Sequence, residues 1–268
     1  MSAEYIANAL NAMYSEIVNT KSLVQSNHQY VYRDISRLIQ TNISTAALHQ
    51  KTFLPFKAKH RGQKIVVCGT GPSAKSYEPI PDAIHIGCNR FFEFSPVPLD
   101  YVFIQDYSGA TPEYISQLNT YEPERCTKFY GLTTEWGEHY RRVIPESDAI
   151  VAGALRYRTD LSPLFHYNEC QFAYDVSTQP LGCFGSVAFS ALQFAIWTYP
   201  AEIYLVGCDC TTSGYFYSDD QNTLMTDRVI DAHKKFKHFA KVYYPDVRII
   251  SINPVGLVGV YEDKNDGG

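Results

Sequence analysis

Lys64-Ile-Val-Val-Cys-Gly-Thr-Gly-Pro-Ser-Ala-Lys-Ser76 runs four apolar residues, Ile65 to Cys68, directly into a Gly69-Thr-Gly-Pro-Ser73 turn. A short, unbroken apolar run reads as a strand buried on both faces. Glycines just past such a strand let the backbone approach a neighbour or ligand closely, and exposed N–H groups there favour an anion. No Gly-Lys-Ser/Thr follows, so this is not a P-loop, and Pro72 and Ser73 break the register of the dinucleotide fingerprint. The turn predicts a phosphate-bearing ligand above a parallel sheet.

Outward from this stretch, the chain alternates strands and helices. Residues 83–87, 101–105, 127–131, 149–152, 202–206 and 247–252 read as further strands, and 186–198 and 225–243 as the clearest helices. The expected fold is therefore α/β and Rossmann-like, a mostly parallel sheet with helices on both faces. Upstream, Ile6, Leu10, Met13 and Ile17 recur at helical spacing, and Ile35, Leu38 and Ile39 suggest a second helix. The expected organisation is a helical N-terminal extension over 1–60, a nucleotide-binding catalytic domain over 61–262 and a disordered tail over 263–268.

Composition narrows the function. The 268 residues carry a net charge of −5, with no basic stripe to track nucleic-acid phosphates. No apolar run reaches the roughly 18 residues of a membrane span. The seven cysteines, several inside apolar strands, read as reduced core thiols and a cytoplasmic location. Cys208-x-Cys210 lacks a second ligand pair at metal spacing, so no metal is expected.

Parallel sheets bind ligands beyond the carboxyl ends of their strands. The polar residues there are Gly69, Thr70, Gly71, Pro72 and Ser73; then Asn89 and Arg90; then Gln105 and Asp106; then Glu135; then Asp209. Each has a plainer reading: Asn89 as a turn residue, Asp106 and Asp209 as caps, Glu135 as a solvated carboxylate, His233 as a helix-face residue. Arg156 and Arg158 read either as surface charges or as forks for a carboxylate. Leu181-Gly-Cys-Phe-Gly-Ser186 leads into the 186–198 helix, with Gly185 and Ser186 at its start. That start is either an ordinary cap or a second phosphate-favouring helix N-terminus.

The order GTGPS, Asn89, Gly185-Ser186 and EIYLVGCD resembles the sialyltransferases of glycosyltransferase family 42. The longer phrases AIHIGCNRFF, LDYVFIQDY and PLGCFGSVAFSALQFA resemble the retaining β-Kdo transferases of capsule and lipopolysaccharide synthesis. The resemblance spans about residues 64–255 and is carried by short motifs. It implies a sialyltransferase-like, GT-A-like variant of the fold. It also implies a CMP-Kdo donor held by Gly69–Ser73, Asn89 and the Gly185-Ser186 helix start, and a glycan or lipid-linked oligosaccharide acceptor. By the same resemblance Asp209 is the nucleophile and Glu135 the acid/base, with Glu138 one turn away as the other choice. No cofactor is implied. In the sialyltransferases a histidine base precedes the last helix, whereas His233 falls inside it, which favours a carboxylate pair. The alternatives are an inverting sialyltransferase using CMP-sialic acid, a pterin-type diphosphokinase, and a non-catalytic nucleotide-binding module of a larger polysaccharide synthase. The expected setting is cytoplasmic, with a peripheral seat at the inner membrane as a variant.

Overall fold

The computed structural model describes residues 3–105, 112–133, 153–160, 171–218 and 226–265. It divides into two compact units, residues 1–44 and 45–268. The first unit lies within helix α1, Ala3–Phe53, a single 51-residue helix where two were expected. The physical reason is in the composition. No glycine or proline occurs before Pro55, so nothing breaks the helix until a 3₁₀ turn at Leu54–Phe56. The last turns of α1 group with the second unit, so the division into compact units falls at 44/45.

The second unit is built on a sheet of nine described strands: β1 Lys64–Cys68, β2 Ala83–Cys88, β3 Tyr101–Ile104, β4 Thr127–Thr133, β5 Leu155–Asp160, β6 Leu181–Gly182, β7 Glu202–Val206, β8 Arg248–Ile252 and β9 Glu262–Lys264. Every pairing is parallel. The order is β6-β5-β4-β3-β2-β1-β7-β8-β9. The chain therefore moves outward from β1 in one direction through β6, then returns to the other side of β1 with β7. Of the described helices, α2 is Pro112–Thr120, α3 Ala188–Trp197 and α4 Thr226–Tyr243.

Both faces of the sheet are covered, which explains the unbroken apolar strands. In β1, Ile65 and Val67 join one buried cluster with Phe53, Phe56, α3 and α4. Val66 and Cys68 join another with Tyr114, Ile115 and Leu118 of α2. Helix α3 is buried at all ten positions. Its Phe194 ring lies 5.1 Å from Tyr101, 5.3 Å from Phe103 and 5.0 Å from Phe129, while Phe189 lies 4.6 Å from the His233 ring of α4. A helix sandwiched between a sheet and another helix has no solvent face, hence its apolar sequence, broken only by Ser190 and Gln193.

The differences from expectation have local causes. Residues 149–152 lie outside the described residues, and the strand beyond them is β5, whose Arg156 and Arg158 break the apolar signal. Strand β9 takes in 262–264, where a disordered tail was expected from 263. Asn253 N–H donates to Lys264 O (2.8 Å) and Gly259 N–H to the Asp263 carboxylate (2.8 Å), which fixes this edge. No described helix is long and apolar enough to cross a membrane.

Candidate functional site

The strand order reverses between β1 and β7, the switch point beyond whose carboxyl ends open parallel sheets take their ligands. Two motifs meet there: the Gly69–Ser73 turn leaving β1 and the Gly207-Cys-Asp-Cys-Thr211 segment leaving β7. They are laced together by backbone hydrogen bonds. Gly69 N–H donates to Val206 O (2.7 Å), Gly71 N–H to Gly207 O (2.8 Å), and Phe216 N–H to Thr70 O (3.0 Å). Ser73 donates its N–H to Asp209 Oδ2 (2.8 Å) and its hydroxyl to Oδ1. Asp209 is 6% exposed, and its carboxylate is thus held on both oxygens by one residue of the opposite turn.

This geometry changes the meaning of the glycines. A Cβ on Gly69 would fall 2.5 Å from Gly207 O, and one on Gly71 would fall 2.6 Å from Asp209 Cγ and 2.7 Å from Gly207 O. Both positions admit only glycine because the β7 loop presses against them. The N–H groups of Gly69, Gly71 and Ser73, expected to face an anion, are donated inside the protein instead. Pro72–Ser76 is a 3₁₀ segment, and the Asp209 carboxylate takes the N–H that a capping side chain takes at a helix start.

The neighbouring strand ends are tied into the same edge. Asn89, in the left-handed region at φ +47°, accepts the Gln105 N–H on its Oδ1 (2.9 Å), so it bridges two strand ends and does not close its own turn. Gln105 Oε1 in turn receives the Cys183 thiol (3.6 Å), which draws in the segment before α3. There Gly185 has φ +83° and Ser186 Oγ accepts the Ala188 N–H (3.3 Å). The helix itself starts at Ala188, two residues later than expected, with Val187 at the cap position. Arg90 pairs with Glu93 (2.9 Å), and its guanidinium lies 5.5 Å and 5.3 Å from the Tyr114 and Tyr217 ring centres. Gly69, Thr70, Gly71, Pro72, Ser73 and Asp209 are thus brought into one cluster, and Asn89, Gln105, Gly185 and Ser186 into a linked one. Asp106, Glu135 and Glu138 lie outside the described residues.

Other candidates resolve as structural groups. His233 is 1% exposed, and burial lowers its pKa to about 3. Its Nδ1 lies 3.0 Å from the Tyr261 hydroxyl, so it is a neutral core residue. Burial, and secondarily the Asp209 charge, pushes the Cys210 thiol up to about 12, and Cys208 is raised further, which disfavours thiolate chemistry there. The six cysteines among the described residues are all free thiols. On β5, Arg158 N–H donates to His49 Nε2 (2.8 Å) and Arg156 O accepts the Thr52 hydroxyl (2.6 Å), so the backbone of both positions anchors α1.

Two contributions had no signal in the sequence. Gly256, after β8, donates its N–H to Asp209 O (2.8 Å), and a Cβ there would fall 2.6 Å from that same oxygen. An aromatic group also forms at this edge: Phe94 against Phe216 at 4.7 Å, and Tyr215 stacked on Tyr217 at 5.2 Å with planes 3° apart. The Tyr-Phe-Tyr run was visible, but neither period 2 nor period 3.6 marked it for a site.

No family model matches the chain, and no curated protein matches it in sequence. Solved structures do. The sialyltransferase CST-II in complex with a trisaccharide acceptor and CMP is 16% identical, over 70% of this chain and 80% of that one, with a TM-score of 0.43. CstII from Campylobacter jejuni in complex with the substrate analogue CMP-3FNeuAc is 13% identical, over 70% and 79%, with a TM-score of 0.41.

Proposed function

We infer that the chain is a glycosyltransferase that takes its sugar from a CMP-activated donor, with Kdo as the sugar and retention as the stereochemical course. The observation that carries this reading is the meeting of the Gly69–Ser73 turn with the Asp209 segment where the strand order reverses. That is the place where an open parallel sheet takes a nucleotide. The motif resemblance supplies the donor class, and Thr70, Asn89 and Ser186 are the groups proposed to hold the nucleotide.

In the proposed reaction a carboxylate oxygen of Asp209 attacks the anomeric carbon of the donor. The bond from that carbon to the phosphate oxygen breaks, and CMP leaves with the electron pair. An acceptor hydroxyl then attacks the same carbon from the opposite face. Its proton passes to Glu135, the proposed acid/base, and the bond to Asp209 breaks. Two inversions give net retention. Donors aimed at the leaving phosphate supply charge stabilisation, the role proposed for the Ser186 helix start, so no metal or cofactor is required by this scheme. The acceptor is proposed to be a glycan or lipid-linked oligosaccharide, in the setting of bacterial surface polysaccharide synthesis.

One observation favours a second reading. Both Asp209 oxygens are engaged by Ser73, as expected for a carboxylate that only fixes the turn in a nucleotide-binding module. The deciding experiment is incubation of the protein with CMP-Kdo, followed by intact-mass and peptide mass spectrometry. A Kdo adduct on Asp209, absent from Asp209→Asn, supports the nucleophile. Stabilisation by CMP without adduct or turnover supports the binding module, and no response to CMP in thermal unfolding removes the nucleotide reading altogether. Transfer from CMP-sialic acid with an inverted product anomer would replace the donor and the mechanism together.

A further inference from the structure

The first unit of the chain poses a question that the second does not answer. Every residue from Leu10 to Arg33 is exposed, yet the segment carries Leu10, Met13, Tyr14, Ile17, Val18, Leu23, Val24, Tyr30, Val31 and Tyr32 at 46–70% exposure. A helix in a protein draws most of its stability from burying an apolar face against a neighbour, and here the apolar side chains are exposed. Leu10, Ile17, Val24 and Val31 follow one another at intervals of seven. That period, sustained over residues 10–31 of one uninterrupted helix, belongs to a left-handed supercoil with another helix.

The residue types specify the partner further. Written with Leu10 at position a, the a positions continue as β-branched Ile17, Val24 and Val31, the residue class preferred at a in parallel dimers, although the leucine that accompanies it at d is missing here. The d positions are Met13, Thr20 and Asn27. Asn27 at d places an amide in the seam, and the in-register arrangement sets it opposite its own copy, where the two amides can hydrogen-bond to each other. Glu16 then falls at g and Lys21 at e of the next heptad. In a parallel, in-register pair of identical helices, these meet as Glu16 with the other copy's Lys21, twice by symmetry. The charge pattern is self-complementary in that one arrangement.

We propose that residues 10–31 of α1 form a parallel, in-register, two-stranded coiled coil with a second copy of this chain, making the protein a homodimer through its N-terminal helix. Sedimentation equilibrium on the full chain is expected to give a mass twice 30.4 kDa. Ile17→Asp with Val24→Asp is expected to give the 30.4 kDa monomer with the melting of the α/β unit unchanged. Glu16→Lys is expected to weaken dimerisation roughly tenfold, and the swap Glu16→Lys with Lys21→Glu to restore it. A monomer at all concentrations overturns the proposal. So does a dimer that survives the Asp variants, whose interface must lie elsewhere. Equal dissociation by the single and swapped charge variants overturns the parallel register, and monomeric binding to anionic phospholipid vesicles would assign the face to a membrane.

Discussion

At the scale of single residues, the turn after β1 is held by a carboxylate far along the chain. Ser73 and Asp209 are separated by 136 positions and share two hydrogen bonds. The sequence marks Gly69 and Gly71 as special without saying what approaches them, because the answer is the backbone after β7. A glycine-rich turn has the same spelling whether it faces a phosphate or a neighbouring loop. The close approach can be tested directly. Gly71→Ala places its methyl 2.6 Å from Asp209 Cγ, in a carboxylate that Ser73 holds on both oxygens, and 2.7 Å from a backbone oxygen. The expected cost is about 1–3 kcal/mol in urea unfolding, as for overpacked cores. CMP binding is expected to weaken with it, since Asp209 must move to admit the methyl. A variant as stable as the parent would show that the turn and the β7 loop are not in this contact.

Among elements, legibility followed burial. Strands β1, β2, β3, β4, β7 and β8 were readable because both faces are covered and nearly every residue is apolar. Strand β5 was not, because Arg156 and Arg158 alternate with Tyr157 and Thr159 beside the last turns of α1. Strands β6 and β9 are two and three residues long, too short for any period, and exist through their neighbours. The join of β6 to α3 depends on one side chain that no pattern announces. Gln193, fully buried in a helix whose one other polar residue is Ser190, accepts the N–H groups of Ala173 (2.9 Å) and Gly182 (3.1 Å) on its Oε1. It donates from Nε2 to Gly182 O (2.9 Å) and Phe189 O (2.8 Å). Gln193→Leu keeps the volume and removes all four bonds. Since each buried backbone group left unpaired costs about 1–3 kcal/mol, a loss of at least roughly 3 kcal/mol is expected in chemical denaturation. Hydrogen exchange at Ala173 and Gly182 should accelerate in the same variant. Unchanged protection there would mean that Gln193 does not hold this edge.

At the scale of the whole molecule, burial keeps four histidines neutral among the described residues, and they shape its response to acid. Burial lowers His49 to about 4 and His233 to about 3, and His60 and His85 are lowered as well. For His49 the reason is visible in its bonds. Nδ1–H donates to Val176 O (2.9 Å), while Nε2 accepts the Arg158 N–H (2.8 Å), so a second ring proton would point at an existing donor near the Arg158 charge. In the unfolded chain these histidines protonate near 6.5. Between that value and the lower folded values the unfolded state binds more protons, so stability rises with pH across the window. It is complete above about 6.5 and declines from there as the pH falls, by His49 down to about 4 and by His233 down to about 3. The urea midpoint is therefore expected to be flat from pH 8 to 7 and to drop steadily from pH 6.5 to 4. His49→Gln, whose amide can supply a donor and an acceptor, is expected to lower the midpoint at pH 7.5 but to flatten its slope below 6.5. Because His49 ties the end of α1 to β5, the gap between parent and variant should narrow with acid. A parent midpoint that holds constant down to pH 4 would mean that these rings take up protons without opening the fold.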